Sequence, residues 1–206
     1  LGLSLFHNAK KLIENGSGPY FYLPKLEHYL ECRLLNDVIS FCEKKLSLEI
    51  GTVKVTVLIE TINAVFQMDE FLWELKDHIV GLNAGRWDYL FSYQKVYRNT
   101  QKVILPDRSK VNMFVPFMSN YNKLLVDTCH KRGAFGMGGM SAQVIAKANP
   151  KEVNEKALAG VKKDKERELN QFNDGAWVAH PSLVQPVKNI FEKNFKGPNQ
   201  LNKFNN

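Results

Sequence analysis

One stretch of the chain, residues 51–89, limits the possible folds more than any other. It begins with β-branched side chains at every second position, namely Val53, Val55, Val57 and Ile59. This alternation, followed by an apolar run, is typical of a buried strand in a parallel sheet. The strand ends at a carboxylate, Glu60, and a helical apolar pattern continues to residue 75. A short apolar segment at 79–82, a turn-rich loop at 83–86 and a second carboxylate, Asp88, complete the pattern.

The two carboxylates have two interpretations. In a β/α barrel the carboxyl ends of the strands meet at one rim, so Glu60 and Asp88 would face the same opening. A hard divalent cation such as Mg²⁺ neutralises carboxylates in such a place, commonly with one or two of them as ligands. Alternatively, each acid caps the N-terminus of the helix that follows it. Spacing by itself leaves both interpretations open.

The rest of the chain repeats the alternation of strand and helix. Strands are predicted at 20–23, 111–117, 134–137 and 176–179, and helices at 4–15, 28–46, 91–96, 121–128, 154–172 and 183–195. Five or six β-α repeats without hairpin signals predict a parallel sheet with helices outside. Doubly wound and barrel folds both satisfy this pattern. The tail at 196–206 is polar and rich in asparagine, which predicts disorder after a single segment at 1–195.

Composition excludes several classes of protein. The chain has 206 residues, 44% hydrophobic and 24% charged, as in an ordinary globular domain. No apolar run reaches the roughly 18 residues of a membrane helix, and three widely spaced cysteines predict free thiols in a reducing compartment. The net charge is +7, but the basic residues form no block, so we expect no nucleic-acid partner and instead a basic mouth for small anionic substrates.

Five segments of the chain resemble the malate synthase family, in particular the A-type enzyme of the glyoxylate cycle. They occur in the same order as in the family and cover most of the chain. They are GSGPYFYLPKLE at 16–27, VLIETINAVFQMDEF at 57–71 with GLNAGRWDYLFS at 81–92, LPDRSKVNMFVPFM at 105–118, CHKRGAFGMGGM at 129–140 and DGAWVAHPSL at 174–183. The resemblance implies the α/β fold of a TIM (β/α)8 barrel, here incomplete because fewer than eight strands are predicted, with peripheral helices.

The resemblance also implies a site. Glu60 and Asp88 would bind Mg²⁺, and the metal would chelate glyoxylate. The loop Gly85, Arg86, Trp87 and Asp88 would hold glyoxylate, largely through backbone N–H groups. Lys25 and Glu27 would lie near the barrel mouth, or alternatively form a charge pair at a helix N-terminus.

Acetyl-CoA would be the second substrate, and Pro116 stands where the family contacts the CoA moiety. No catalytic residue is expected within this chain, because the family's Arg and Asp would lie upstream and downstream of it. We therefore expect a fragment that is inactive alone. Unpaired strand edges predict self-association, and no membrane partner is expected.

Alternatives remain within and outside the enzymes. A related Mg²⁺-dependent CoA-thioester lyase or aldolase would share the paired acids, and a non-catalytic fragment would survive by binding a partner. The family resemblance implies a peroxisomal or glyoxysomal location in a eukaryote and a cytoplasmic one in a bacterium. His78, His130 and His180 lack metal-ligand spacing, so structural roles are expected for them.

Overall fold

The chain folds as five parallel strands alternating with helices. The computed structural model describes residues 1–143, 145 and 149–205, without the side chain of residue 102. The strands are β1 (Tyr20–Leu23), β2 (Lys54–Ile59), β3 (Ile79–Ala84), β4 (Phe135–Ser141) and β5 (Gly175–Val178). The helices are α1 (Gly2–Glu14), α2 (Tyr29–Lys45), α3 (Ile62–Val65), α4 (Met68–Glu74), α5 (Trp87–Val96), α6 (Pro116–Lys131), α7 (Lys151–Asn170) and α8 (Val184–Asn194), with 3₁₀ turns at Gln101–Val103, Arg108–Lys110 and Pro181–Leu183.

The strand order decides between the two folds that the pattern allowed. Each strand pairs in parallel with the next one along the chain, in the order β1-β2-β3-β4-β5. A doubly wound sheet reverses its strand order near the middle, whereas a barrel does not. The sheet is also strongly curled, because the ring of Tyr22 in β1 touches that of Trp177 in β5 across three intervening strands. The fold is therefore an incomplete TIM barrel, as predicted.

Strand β2 lies at the centre of the larger core. Its alternating residues Val55, Val57 and Ile59 are at most 1% exposed, and they pack with apolar residues of α2, α4 and α6. A smaller apolar cluster joins α7 to α8 through Val161 and Val187. None of the helices in the described ranges combines the length and apolar content that crossing a bilayer would require.

The single helix expected after Glu60 is divided into α3 and α4. The division falls at Gln67, whose side-chain carbonyl accepts from the backbone N–H of Tyr29 at 3.2 Å. The same amide donates to the carbonyls of Glu27 and Asn63. These bonds tie the break to the start of α2 and place the end of β1 beside α3.

The strand expected at 111–117 is absent. The Asn112 side chain accepts from the backbone N–H of Phe114 at 2.9 Å, which forms a local turn. Val115 is extended and acts as the N-cap, and Pro116 occupies the first position of α6. Proline suits this position because its missing N–H would be unpaired there in any case. The β-branched residues of this segment therefore lead into a helix.

The C-terminal segment was expected to be disordered at 196–206, but residues 199–205 make specific contacts. Residue 206 lies outside the described residues. Gln200 is only 4% exposed and donates its side-chain amide to the carbonyls of Leu169 and Asn173. Asn205 donates to Asp127 through both backbone and side chain. Asparagine and glutamine here satisfy buried polar groups, which a composition-based prediction of disorder does not take into account.

Candidate active site at the carboxyl ends of the strands

Three residues that follow three successive strands meet at one rim of the sheet. Lys25 follows β1, Glu60 follows β2, and Asp88 lies in the first turn of α5 after β3. The Lys25 ammonium is 3.0 Å from Asp88 Oδ1 and 3.8 Å from Glu60 Oε1. The two carboxylate oxygens are therefore no further apart than these two distances together, and they share one cation. The convergence of Glu60 and Asp88 that the sequence predicted is present.

Glu60 is the buried member of this group. It is 3% exposed, and its Oε1 accepts a 2.6 Å hydrogen bond from the backbone N–H of Lys25. Burial raises the pKa of Glu60, a shift opposed by Lys25 and reinforced by Asp88. Lys25 has left-handed backbone geometry with φ of 60°, which costs energy for a residue with a side chain. This strained turn brings both the amide and the ammonium of one residue to the carboxylates.

The electrostatics of Lys25 indicate that the carboxylates of Glu60 and Asp88 attract a cation. The hydrogen bond to Asp88 is the main factor that raises the pKa of Lys25, and Glu60 adds to it. The Lys25 side chain is 65% exposed, whereas that of Glu60 is 4% exposed. The ammonium thus reaches in from solvent to neutralise two acids that are held by the fold.

The alternative interpretation as helix caps fails for Glu60. Thr61, not Glu60, is the N-cap of α3, and its hydroxyl accepts from the N–H of Ala64. Asp88 does lie in the first turn of α5, where a negative charge is favourable, so for this residue the two interpretations coexist. Glu27 is exposed and accepts from Asn63 at 3.4 Å; no described ion pair joins it to Lys25.

The loop after β3 passes very close to Glu60. A Cβ added to Gly85 would lie 2.8 Å from the Cβ of Glu60, so only glycine fits there without displacement. The Gly85 N–H donates to the carbonyl of Ile59 at 3.3 Å. The buried Tyr121 hydroxyl bridges the carbonyls of Ile59 and Gly85, and its ring stacks on that of Tyr89 with centroids 4.4 Å apart. These contacts fix the ends of β2 and β3 relative to each other.

The side chains of Arg86 and Trp87 make different contacts from those of Asp88. The Arg86 guanidinium lies 5.1 Å from the centre of the Trp87 ring, and the Arg108 guanidinium lies 4.6 Å from it. No described contact joins either side chain to Glu60 or Asp88. In the loop predicted to hold glyoxylate, Gly85 therefore lies against Glu60, and Asp88 is itself one of the paired carboxylates. Arg86 and Trp87 form a neighbouring surface.

Pro116 lies at the same end of the barrel. Helix α6 returns to the start of β4, so its N-terminus is on the side where the strands end. Pro116 is exposed at this N-terminus, and the next ring, Phe117, lies 6.1 Å from that of Tyr93 in α5. No described contact joins Pro116 directly to the paired carboxylates.

The three histidines make structural contacts. His78 is fully buried and bonds to Glu43 and Asn36, His130 bonds to Asp174 and the carbonyl of Lys203, and His180 accepts from the N–H of Ser182. Within the described ranges no group of three or more His, Cys, Asp or Glu residues could hold a metal. The three cysteines are free.

The donor set at the rim nevertheless suits a hard divalent cation, a class that includes Mg²⁺. Two carboxylates around a cation suit Mg²⁺, which usually takes one or two protein carboxylates and completes its shell with water and substrate oxygens. The Lys25 ammonium already occupies the place between them as a positive charge. Sequence reasoning placed Lys25 near the mouth without this bridging contact, and it missed Tyr121. The end of β1 was a usable signal for Lys25, whereas a tyrosine in the middle of a helix has none.

Comparison with known proteins identifies the family. A family model described as "Malate synthase, TIM barrel domain" matches residues 1–206. Over 202 residues the chain is 52% identical to the "Bifunctional glyoxylate cycle protein" of Caenorhabditis elegans, covering 98% of this chain and 21% of that protein. It is 52% identical over 196 residues to "Malate synthase, glyoxysomal" of Candida tropicalis, covering 95% and 35%, and 51% identical over 189 residues to "Malate synthase A" of Escherichia coli K12, covering 92% and 34%.

Solved structures agree on the fold. The "Haloferax volcanii Malate Synthase Lead(II) complex" superposes with a TM-score of 0.61 at 13% identity, covering 82% of this chain and 42% of that one. A citrate lyase from Burkholderia xenovorans LB400 gives 0.66 at 19% identity, covering 85% and 49%. The chain spans between a fifth and about a third of the length of the three curated relatives above. Over its whole length, this chain belongs to the malate synthase TIM-barrel family.

Proposed function

We propose that this chain is the part of a malate synthase that binds Mg²⁺ and glyoxylate. The complete reaction would be the glyoxylate-cycle condensation of acetyl-CoA with glyoxylate, which gives malate and CoA. One observation carries the proposal, namely that the carboxylates of Glu60 and Asp88 share a single cation, the Lys25 ammonium, at the carboxyl rim of a barrel. We propose the reaction from the family, and we propose the residues from this geometry.

Glu60 and Asp88 would hold the metal, with Lys25 withdrawing toward solvent when the ion enters. The exposure of the Lys25 side chain leaves room for this movement. When bound, Mg²⁺ acts as a Lewis acid that stabilises negative charge on the oxygen of an attacked carbonyl. Burial raises the pKa of Glu60, and a divalent charge held beside this carboxylate would favour its ionised form.

The start of α5 would bind the carboxylate of glyoxylate. Helix α5 has no side-chain cap at its N-terminus, so the N–H groups of its first turn are available to an anion. Gly85 allows the preceding loop to lie against Glu60, which brings these N–H groups next to the metal ligands. Asp88 belongs to both parts of the site.

Acetyl-CoA would approach from the side of Pro116, at the N-terminus of α6. The cellular location would depend on the organism, namely a peroxisome or glyoxysome in a eukaryote and the cytoplasm in a bacterium.

Among the described strands, the outer edges of β1 and β5 are unpaired. A further segment or a second copy of the chain would cover them.

The test is calorimetric titration of Mg²⁺ in the presence of glyoxylate. We expect Glu60→Gln to weaken the binding by at least about 100-fold, since it removes one of two anionic ligands and even outer-shell changes cost 10–100-fold. The matched control is Glu70→Gln, an exposed acid in the first turn of α4, which should bind normally. Unchanged binding by Glu60→Gln, or absence of Mg²⁺-dependent glyoxylate binding by the unaltered chain, would overturn the proposal.

A further inference from the structure

Beside the paired carboxylates lies a second set of charges that the metal site does not use. The guanidinium groups of Arg86 and Arg108 both pack on the indole of Trp87, with 5.1 Å and 4.6 Å between each guanidinium carbon and the ring centre. Trp87 itself is 50% exposed. Cation–π contacts of this kind hold the planar groups in place and leave their N–H edges available to a ligand.

These two arginines have no carboxylate partner within the described residues. Asp107, next to Arg108, accepts instead from the backbone N–H and hydroxyl of Ser109, at 2.8 Å and 2.6 Å. Asp164 of α7 is the acid that favours the charged form of Arg86, but its carboxylate is committed to Arg167 at 3.0 Å and Lys165 at 3.4 Å. Partial burial, together with Arg108 and Arg167, lowers the pKa of Arg86. The positive charge here is in excess.

A cavity of about 220 Å³ opens beside the two arginines. Its polar end is formed by Arg86 and Arg108, and its other walls are mainly apolar, including Leu90, Leu105 and Val111. The volume is below the roughly 300–1,000 Å³ typical of whole-ligand pockets. It therefore fits one oxyanion with a small apolar group attached to it.

We propose that Arg86, Arg108 and the cavity beside them bind an organic phosphate, with the two guanidiniums on the phosphate oxygens and the apolar walls on the attached group. Guanidinium presents a rigid fork of donors that matches phosphate, and such charge-assisted pairs are among the strongest hydrogen bonds in proteins. The site lies beside the metal pair and does not depend on it.

Two kinds of ligand carry a phosphate of this kind. A free phosphorylated metabolite would bind as a separate ligand, whereas the phosphate-bearing end of CoA would bring the proposed substrate across the rim toward Pro116. Phenyl phosphate, inorganic phosphate, CoA and pantetheine distinguish these cases. All titrations are done without Mg²⁺ and glyoxylate, so a failure here is separate from a failure of the metal site.

We expect the chain to bind phenyl phosphate more tightly than inorganic phosphate. Arg108→Gln should weaken phenyl phosphate binding by about tenfold, roughly the worth of one charge-assisted hydrogen bond. Arg108→Lys should have a smaller effect, because it keeps the charge and loses the fork. Lys110→Gln, in the same 3₁₀ turn with no described contact to Trp87, is the control, and circular dichroism checks that each variant is folded.

Competition by CoA but not by pantetheine would assign the phosphate to CoA, and failure of CoA to compete would assign the site to a free organic phosphate. Equal affinity for phenyl phosphate and inorganic phosphate would overturn the role of the cavity. Equal effects of Arg108→Gln and Lys110→Gln, or no phosphate binding by the unaltered chain, would overturn the site itself.

Discussion

Replacing Gly85 with alanine tests whether the close approach of two loops builds the metal site. The added methyl carbon would lie 2.8 Å from the Cβ of Glu60 and 3.5 Å from its Cα. Carbon atoms pack best at about 3.5–4.0 Å, so the two loops must separate by about 0.7 Å or more. If Glu60 moves by that amount away from Lys25, the 2.6 Å hydrogen bond between Lys25 N–H and Glu60 Oε1 exceeds 3.2 Å, the usual limit.

The energetic cost follows from overpacking. Forcing an extra methyl group into a packed site costs about 1–3 kcal/mol. For a chain of this size each kcal/mol lowers the melting temperature by roughly 2–4 °C, so Gly85→Ala should melt about 2–12 °C lower. Its affinity for Mg²⁺ with glyoxylate should fall as well, because the displaced carboxylate no longer faces Asp88.

The assay combines thermal unfolding by circular dichroism with the calorimetric titration. Gly175→Ala is the matched control, since no atom lies within 4 Å of the added carbon and the φ of Gly175 is not positive. That variant should melt and bind like the unaltered chain. Gly85→Ala with unchanged melting and unchanged affinity would show that the contact with Glu60 does not position the ligand.

Two predictions concern pH. Because burial raises the pKa of Glu60, we expect calorimetry to show half of the Mg²⁺ binding lost at a pH above about 4.3, the ordinary glutamate pKa. Loss of half of the binding only at or below that pH would contradict the assignment. Burial lowers the pKa of His130, but hydrogen bonds to Asp174 and Lys203 outweigh this effect and raise the pKa overall. The protonated ring of His130 therefore stabilises the fold fully below about pH 6.5, and this stabilisation is lost as the pH rises through the raised pKa. Hydrogen exchange corrected for intrinsic rates should therefore show 196–205 losing protection at alkaline pH, and constant protection between pH 6 and 9 would refute this role.

Much of the architecture was predictable from local patterns. The alternation in β2, the apolar run that ends it and the repeated strand–helix order predicted a parallel sheet. A strand buried on both faces needs a continuous apolar run, and its crossover to the next parallel strand needs a helix. The bounds of β1 were predicted to the residue, since Pro24 follows it. Residues 111–117 show where this reasoning fails, because the apolar, β-branched pattern there is the same whether the backbone pairs with a strand or turns into a helix.

The candidate site was partly predictable for a related reason. Carboxyl ends of parallel strands must meet at one edge, so acids placed after β2 and β3 had to be near each other in either fold. The bridging position of Lys25 required its left-handed backbone, which the sequence does not signal for a non-glycine residue.

The amino-acid order alone thus determined a parallel α/β fold with two acids at one end of its sheet, because periodicity and strand direction are local properties of the chain. Tertiary structure decided that the sheet curls so that Tyr22 meets Trp177, that the end segment packs against Asp127, and that two arginines share the ring of Trp87. These features depend on contacts between residues far apart in the chain, whose distances are set only when the helices pack on the sheet.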